Sequence, residues 1–99
     1  MVKLIWALRA LNDLNEIGDY ISKDSILYAK NTINGIINSV KILKQFPKSG
    51  KVMPELMQDD IREISKGNYR IIYKLKDADI VEIITVHHTS KYFNPSNYN

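Results

Sequence analysis

The feature that most constrains the fold of this chain is a change in the spacing of its apolar residues. Between residues 8 and 43, apolar side chains recur every three or four positions, which is the repeat of one face of an α-helix. Beyond residue 60, β-branched and aromatic residues form short runs separated by turn residues, which is typical of strands. Helices followed by consecutive strands favour an α+β fold, because an α/β fold requires the two kinds of element to alternate.

Two amphipathic helices are predicted in the first half of the chain, after a short strand over residues 2–6. The apolar positions of the first helix are Leu8, Leu11, Leu14, Ile17 and Ile21. Either Asp24 or Ser25 can cap the second helix. Its apolar positions are Ala29, Ile33, Ile36, Ile37, Val40 and Leu43. We expect these positions to form core, and we expect the second helix to end near Phe46-Pro47, because the residue before proline disfavours the α region.

Three further strands are predicted over residues 61–66, 69–75 and 80–86. Residues 46–60 contain two prolines and a glycine and are predicted to be a loop. The element order is therefore β-α-α-β-β-β. We expect a helical hairpin packed on one face of a four-stranded, largely antiparallel sheet, which leaves the other face available for function.

The domain organisation follows from the length of the chain. Ninety-nine residues are the size of one domain. We expect that domain to cover residues 1–91, and we expect the polar residues 92–99 to form a flexible C-terminal tail.

The composition excludes several classes of protein. The chain has no cysteine, so a disulfide framework, a thiolate zinc site and a cysteine nucleophile are ruled out. No apolar run approaches the roughly 20 residues that a membrane span needs, and the first residues do not form a signal peptide. We expect a cytoplasmic protein with no membrane partner.

Positive charge is concentrated in the middle of the chain. Residues 41–76 carry nine lysines and arginines against four acidic residues, whereas the formal net charge of the whole chain is +3. Such a region favours an anionic partner, which could be nucleic acid or an acidic protein segment, although a solvated basic surface has the same composition.

Four local patterns occur in order along the chain. They are Trp6-Ala7 with Ala10, Asp13-Leu14, Ile17 and Tyr20-Ile21; Leu43 with Phe46-Pro47 and Gly50; Ile61-Arg62-Glu63-Ile64 with Gly67-Asn68-Tyr69-Arg70-Ile71-Ile72-Tyr73; and Val86-His87-His88-Thr89-Ser90-Lys91. Together with the element order, these patterns resemble the RelE/ParE superfamily of toxins from type II toxin–antitoxin systems. The Phe-Pro-x-x-Gly turn and the His-x-x-Lys ending make the resemblance closer to ParE than to RelE.

The resemblance implies a growth-inhibiting toxin that a cognate antitoxin wraps and neutralises, in a complex that represses its own operator DNA. ParE-like members poison DNA gyrase, whereas RelE-like members cut mRNA on the ribosome, and both share one fold. We therefore expect a ParE-like toxin with DNA gyrase as its target. A RelE-like mRNA endonuclease is the alternative, and a degenerate toxin that only binds its antitoxin is the second alternative.

The resemblance also indicates candidate site residues. Arg70 matches the arginine of the family's Gly-x-Tyr-Arg strand, which contacts phosphate in the nucleases. If the protein is a nuclease, Arg70 would steady the phosphate, and His88 or Lys91 would move protons. Arg62, Lys66, Arg70 and Lys91 are the predicted contacts for the target or for nucleic acid. We expect the opposing strands to bring Arg62 and Arg70 together.

Each of these residues has a structural alternative. Arg70 could pair with Glu63 or Glu82 to keep its charge satisfied within the fold. His88 could be a hydrogen-bonded residue at the end of a strand. His87 and His88 point to opposite faces of an extended chain, so they do not form a ready metal pair. We expect neither a metal nor a cofactor.

Overall fold

The structure is a computed structural model that describes residues 1–90. The tail predicted for residues 92–99 and the candidate site residue Lys91 lie outside the described residues. In chain order, the elements are β1 (Lys3–Trp6), α1 (Leu8–Ser22), α2 (Ile26–Ser39), a 3-10 helix (Lys41–Lys44), β2 (Lys51–Val52), β3 (Ile61–Lys66), β4 (Tyr69–Asp77) and β5 (Ile80–His88). The predicted α+β class and the order of the predicted elements are confirmed.

The strands form one mixed sheet in the order β1-β5-β4-β3-β2. β3, β4 and β5 form the predicted antiparallel meander, and β1 lies at one edge, parallel to β5. The sheet has five strands rather than the predicted four, because Lys51–Val52 in the predicted loop pairs with β3. Two residues are too few to show an alternating pattern, so only the pairing with β3 reveals this strand.

The main core lies between the helical hairpin and one face of the sheet, which we call the helix face. Its buried residues are Ala10, Leu14, Ile36, Val40, Leu43, Ile71, Tyr73, Val81, Ile83 and Val86. Three predicted core positions are exposed instead, since Leu8, Leu11 and Ile37 have relative exposures of 73%, 44% and 36%. The buried stripe of α1 runs through Ala10 and Leu14, so the helix is rotated relative to the stripe of large apolar residues.

The α-helix α2 begins where predicted but ends earlier. Ser25 caps it, with its hydroxyl oxygen accepting a hydrogen bond from the Tyr28 amide at 3.0 Å. The α-helix ends at Ser39, not near Phe46-Pro47. The Ser39 hydroxyl donates to the Ile36 carbonyl at 2.7 Å, and the chain then tightens into the 3-10 helix, which buries Leu43. The apolar spacing therefore continued past the end of the α-helix.

The opposite side of the sheet, which we call the loop face, is partly covered by residues 53–60. Met53, Ile61 and Ile72 are buried there as a second small core, and Leu56 packs against them. The prediction that the helices leave this face available was therefore wrong for its central part. Ile72 is fully buried in β4, and an apolar strand residue on that face requires a cover.

Candidate functional site

Arg70 lies on the loop face, where two glutamates hold its guanidinium. Nη1 and Nη2 donate to the two oxygens of Glu55 at 2.9 and 3.1 Å, and Nε donates to Oε2 of Glu63 at 2.8 Å. Nη2 also donates to the same Glu63 oxygen. Of the two alternatives for Arg70, the structural pairing with Glu63 is present, and Glu55 from the covering segment is the second partner.

The two glutamates and Lys51 complete a charged group that we call the Arg70 cluster. Lys51 Nζ lies 3.4 Å from Oε1 of Glu63, whose side chain is only 4% exposed. Two positive and two negative groups leave the cluster neutral. The hydrogen bond from Arg70 lowers the pKa of Glu55, and the hydrogen bonds to Glu55 and then Glu63 raise the pKa of Arg70. Arg70 is therefore a cation whose charge is already balanced within the fold.

Arg62 lies on the helix face, so the structure does not bring it together with Arg70. Its Nη1 donates to the carbonyls of Lys48 and Gly50 at 3.2 and 2.9 Å, and its Nη2 pairs with Asp59 at 2.8 Å. The prediction that Arg62 and Arg70 meet was wrong. Residues paired across neighbouring strands share a face, and Arg70 pairs with Ser65. Arg62 is three positions from Ser65, an odd number, so its side chain lies on the opposite face. Arg62 joins two loops.

The Phe-Pro-x-x-Gly turn is held against the sheet by the buried Tyr73 hydroxyl. This hydroxyl accepts a hydrogen bond from the Gly50 amide at 2.9 Å and donates one to the Pro47 carbonyl at 2.8 Å. A Cβ at Gly50 would lie 2.5 Å from the Tyr73 hydroxyl oxygen and 2.6 Å from the Glu63 carbonyl oxygen. Because of these short distances, the motif requires glycine at position 50, where the Tyr73 hydroxyl and the Glu63 carbonyl approach the backbone closely. Burial also raises the pKa of Tyr73.

Lys66 and His88 line a groove on the other side of the molecule. The groove, of about 840 Å³, lies between the helical hairpin and the ends of β3, β4 and β5. Tyr69 is paired with both residues across the sheet, and it shares the groove with Tyr28. Burial raises the pKa of Tyr69, with a smaller contribution from Tyr28. The groove therefore combines apolar and aromatic walls with a lysine and a histidine.

His88 is held at the end of β5 by two kinds of contact. Its ring meets the Tyr69 ring edge-on, with centroids 5.3 Å apart. Its Nδ1 accepts a hydrogen bond from the Ser90 amide at 3.1 Å, and Nδ1 lies 2.7 Å from the Ser90 hydroxyl. These are the contacts of a hydrogen-bonded residue at a strand end. An Nδ1 that accepts from the Ser90 amide leaves Nε2 as the protonated nitrogen of the neutral ring.

Asp13 connects α1 to an irregularity in β5 that the sequence did not reveal. The register between β4 and β5 shifts so that Ile72 pairs with Thr85 but Tyr73 pairs with Ile83. One carboxylate oxygen of Asp13 accepts hydrogen bonds from the Thr85 hydroxyl and, at 3.0 Å, from the Val86 amide. The acid belongs to one of the local patterns, yet its spacing gave no sign of a partner 72 residues away.

The residues that a nuclease would need therefore lie on different surfaces. Arg70 is on the loop face, while Lys66 and His88 are in the groove on the helix face. Within residues 1–90, no three His, Cys, Asp or Glu side chains are placed to hold a metal ion. None of the helices in this part of the chain has the length and hydropathy that a membrane span requires.

Comparison with known families matches almost the whole chain to one of them. The model of the family described as "ParE toxin of type II toxin-antitoxin system, parDE" matches residues 4–93. This chain belongs to the ParE toxin family. The family match agrees with the local patterns and with the β-α-α-β-β-β order of the long elements.

Two proteins similar to this ParE-family chain support the assignment, one by its sequence and one by its structure. A protein of Sinorhizobium fredii (strain NBRC 101917 / NGR234), named "Putative toxin Y4kP", is 35% identical over 86 residues, which are 87% of this chain and 86% of that protein. A solved structure titled "Chromosomal ParDE TA system from P. aeruginosa" superposes with a TM-score of 0.74 at 22% identity, over 91% of this chain and 98% of the other. This second similarity confirms the fold.

Proposed function

We propose that this ParE-family toxin inhibits growth by poisoning DNA gyrase and does not cleave RNA itself. The observation that carries the proposal is the state of Arg70. A phosphate contact in a nuclease must offer positive charge to the substrate, whereas the Arg70 guanidinium is held by Glu55 and Glu63. A buried carboxylate such as Glu63 beside a scissile phosphate would repel it.

The separation of the other candidates supports the same proposal. General acid–base catalysis requires the proton-transfer group within hydrogen-bond reach of the reacting atoms. His88 and Lys66 lie on the face of the sheet opposite Arg70, so one phosphate cannot meet all three side chains. As contacts for the target, Arg62, Lys66, Arg70 and Lys91 stay predictions. Of the four, Lys66 lines the groove and Arg62 is engaged by two loops.

A cognate antitoxin is the second part of the proposal. The family description names a toxin–antitoxin system, and the similar Pseudomonas structure is titled as one. Exposed apolar side chains on the helical hairpin, including Leu8, Leu27 and Tyr28, are suited to a partner that covers them. We propose that the antitoxin binds the toxin, neutralises it, and carries the complex to operator DNA. A short neighbouring reading frame with a DNA-binding start would support this.

Controlled expression of the toxin gene tests the target. We expect growth arrest, stabilised DNA breaks that depend on gyrase and an SOS response, while mRNA stays intact. We expect the antitoxin to reverse the arrest, the breaks and the SOS response. Purified toxin should also trap gyrase on DNA in the absence of ribosomes. Codon-phased cuts in mRNA 5′-end maps would instead establish the ribosome-dependent nuclease. Unchanged growth would show that the chain is a degenerate toxin that only binds its antitoxin.

A further inference from the structure

The basic residues in the middle of the chain differ in whether the fold pairs their charge. Four of the nine between positions 41 and 76 form ion pairs with carboxylates, and these are Lys51, Arg62, Arg70 and Lys76. The first three along the chain, Lys41, Lys44 and Lys48, are exposed and have no salt-bridge partner among residues 1–90. We call these three residues the lysine ridge.

The 3-10 helix places two lysines of the ridge on one side. In a 3-10 helix, side chains three positions apart lie one above the other, so Lys41 and Lys44 project in the same direction. Leu43, between them, is fully buried in the main core. The Lys44 carbonyl accepts a hydrogen bond from the Val2 amide at 2.9 Å, which ties the helix to the start of β1. Both lysines therefore stand on backbone that the fold holds in place.

Lys48 lies in the turn that follows the 3-10 helix directly. The Phe46 amide donates to the Ile42 carbonyl at 2.9 Å, and the Ser49 amide donates to the Phe46 carbonyl at 3.0 Å. The Lys48 carbonyl accepts a hydrogen bond from Arg62 at 3.2 Å, while the Lys48 side chain is exposed. The ridge therefore occupies one continuous, hydrogen-bonded stretch of backbone.

No acidic residue interrupts this part of the sequence. Residues 25–54 contain five lysines and neither aspartate nor glutamate. The carboxylate of Asp59 approaches this stretch through Arg62, but it is paired with the Arg62 guanidinium. The ridge thus presents three positive charges to solvent, and such a surface attracts an anionic partner.

The side chains of this stretch are suited to the phosphate backbone of a duplex. A lysine ammonium is a compact point charge that attracts phosphate from many directions, whereas paired recognition of a carboxylate favours the planar fork of arginine. A DNA duplex carries one negative charge per about 1.7 Å of its axis, so each of several lysines can meet a phosphate. Gln45 and Ser49 are also exposed and can donate hydrogen bonds to phosphate oxygens.

We propose that the lysine ridge binds the phosphate backbone of duplex DNA, so that the toxin itself contacts DNA. The inference rests on the proposed function only for the choice of DNA, since gyrase acts on duplex DNA. Contacts to phosphate position a protein on a duplex without reading its sequence. The ridge would therefore hold the toxin on any DNA segment that gyrase has bound.

The test measures binding of the purified toxin to a fluorescent DNA duplex of about 20 base pairs by anisotropy at several salt concentrations. Each phosphate that a lysine neutralises contributes about 0.9 to the slope of log affinity against log salt concentration. The triple variant Lys41→Gln, Lys44→Gln and Lys48→Gln should therefore reduce the slope by about 2.7 and weaken binding at 0.1 M salt by about tenfold or more. An unchanged slope would overturn the proposal.

A second triple variant, Lys23→Gln, Lys30→Gln and Lys76→Gln, is the matched control. It removes three positive charges at exposed positions outside the ridge, so the two variants have the same net charge. The control should keep the slope of the unmodified toxin, and an equal loss in both variants would overturn the proposal. So would a greater loss of affinity for an oligoglutamate peptide than for the duplex, which would identify an acidic protein segment as the partner. Because gyrase is absent, failure here leaves the proposed function standing, and failure to trap gyrase leaves this result unchanged.

Discussion

At the scale of single residues, the loop turns of this toxin depend on a few close approaches. The Tyr73 hydroxyl satisfies both the Gly50 amide and the Pro47 carbonyl, and it does so because position 50 has no side chain. Arg62 binds the carbonyl of the same glycine from the other direction. Through these two hydrogen bonds, Gly50 connects β3 and β4 to the turn that follows the helices.

Replacement of Gly50 by alanine should destabilise the toxin by about 3 kcal/mol, because neither a buried phenol nor a strand carbonyl can retreat from the new Cβ. Urea denaturation measures the change in the free energy of unfolding. Gly18→Ala is the control, since its Cβ would meet Ile33 at an ordinary 3.7 Å and a helix gains up to about 1 kcal/mol from alanine over glycine. Equal stabilities for the two variants would contradict the steric explanation.

The contact between Glu55 and Arg70 should depend on pH in a defined direction. Since the hydrogen bond from Arg70 lowers the pKa of Glu55 below its usual 4.5, this contact stabilises the fold above that pH. Its contribution, no more than about 1 kcal/mol for a partly exposed pair, is lost as the pH falls through the lowered pKa. The difference in stability between the unmodified chain and Glu55→Gln should therefore be constant near neutrality and vanish in acid. A difference that grows as the pH falls would refute this assignment.

At the scale of elements, α1 is attached to the sheet by more than apolar packing. Thr85 and Val86 are both buried beside the register shift between β4 and β5, and Asp13 of α1 accepts hydrogen bonds from both residues. Irregular positions in strands leave backbone groups without ladder partners, and here a helix side chain supplies the acceptor. The hairpin and the last strand thus share one partly buried polar contact.

Asp13→Ala should cost roughly 3 kcal/mol of stability, because it leaves the Thr85 hydroxyl and the Val86 amide without their acceptor. In this variant, the rate of hydrogen exchange should increase more at the Val86 amide than at other core amides. Asp19→Ala, on the exposed face of the same helix, should change stability by less than about 0.5 kcal/mol. Unaltered exchange at Val86 would show that the contact does not hold the strand.

At the scale of the whole molecule, a small toxin exposes apolar surface that a larger protein would bury. Leu8, Tyr20, Ile26, Leu27 and Tyr28 of the helical hairpin are each more than 60% exposed. A domain of this size has modest stability on its own, so a bound partner should contribute much of the stability of the complex.

Titration with the cognate antitoxin should raise the melting temperature in proportion to the logarithm of the antitoxin concentration. At about 100 times the dissociation constant, binding adds about 2.7 kcal/mol, which for a domain of this size corresponds to a rise of about 10 °C or more. Differential scanning fluorimetry at several antitoxin concentrations measures the rise. A melting temperature independent of the antitoxin would contradict the proposed neutralisation by binding.

The sequence alone determined the class of the fold, the element order and the meander. The apolar repeats that mark helices and strands involve residues close together in the chain, so the sequence shows them directly. It also identified the family from local patterns. It misjudged the end of α2, because the Ser39 side chain ends the α-helix although the apolar spacing continues. It missed the strand β2, because two residues are too few to form a repeating pattern and only their pairing with β3 defines them as a strand.

Only the tertiary structure decided what the charged residues do. Arg62 and Arg70 are both regularly placed in strands, yet the register puts them on opposite faces. Glu55 lies 15 residues before Arg70 in a segment with no pattern of its own, and it reaches the guanidinium only because Met53 and Leu56 pack onto the loop face. Electrostatic partners are set by distance in space, which spacing along the chain does not encode, so the state of the candidate site had to come from the fold.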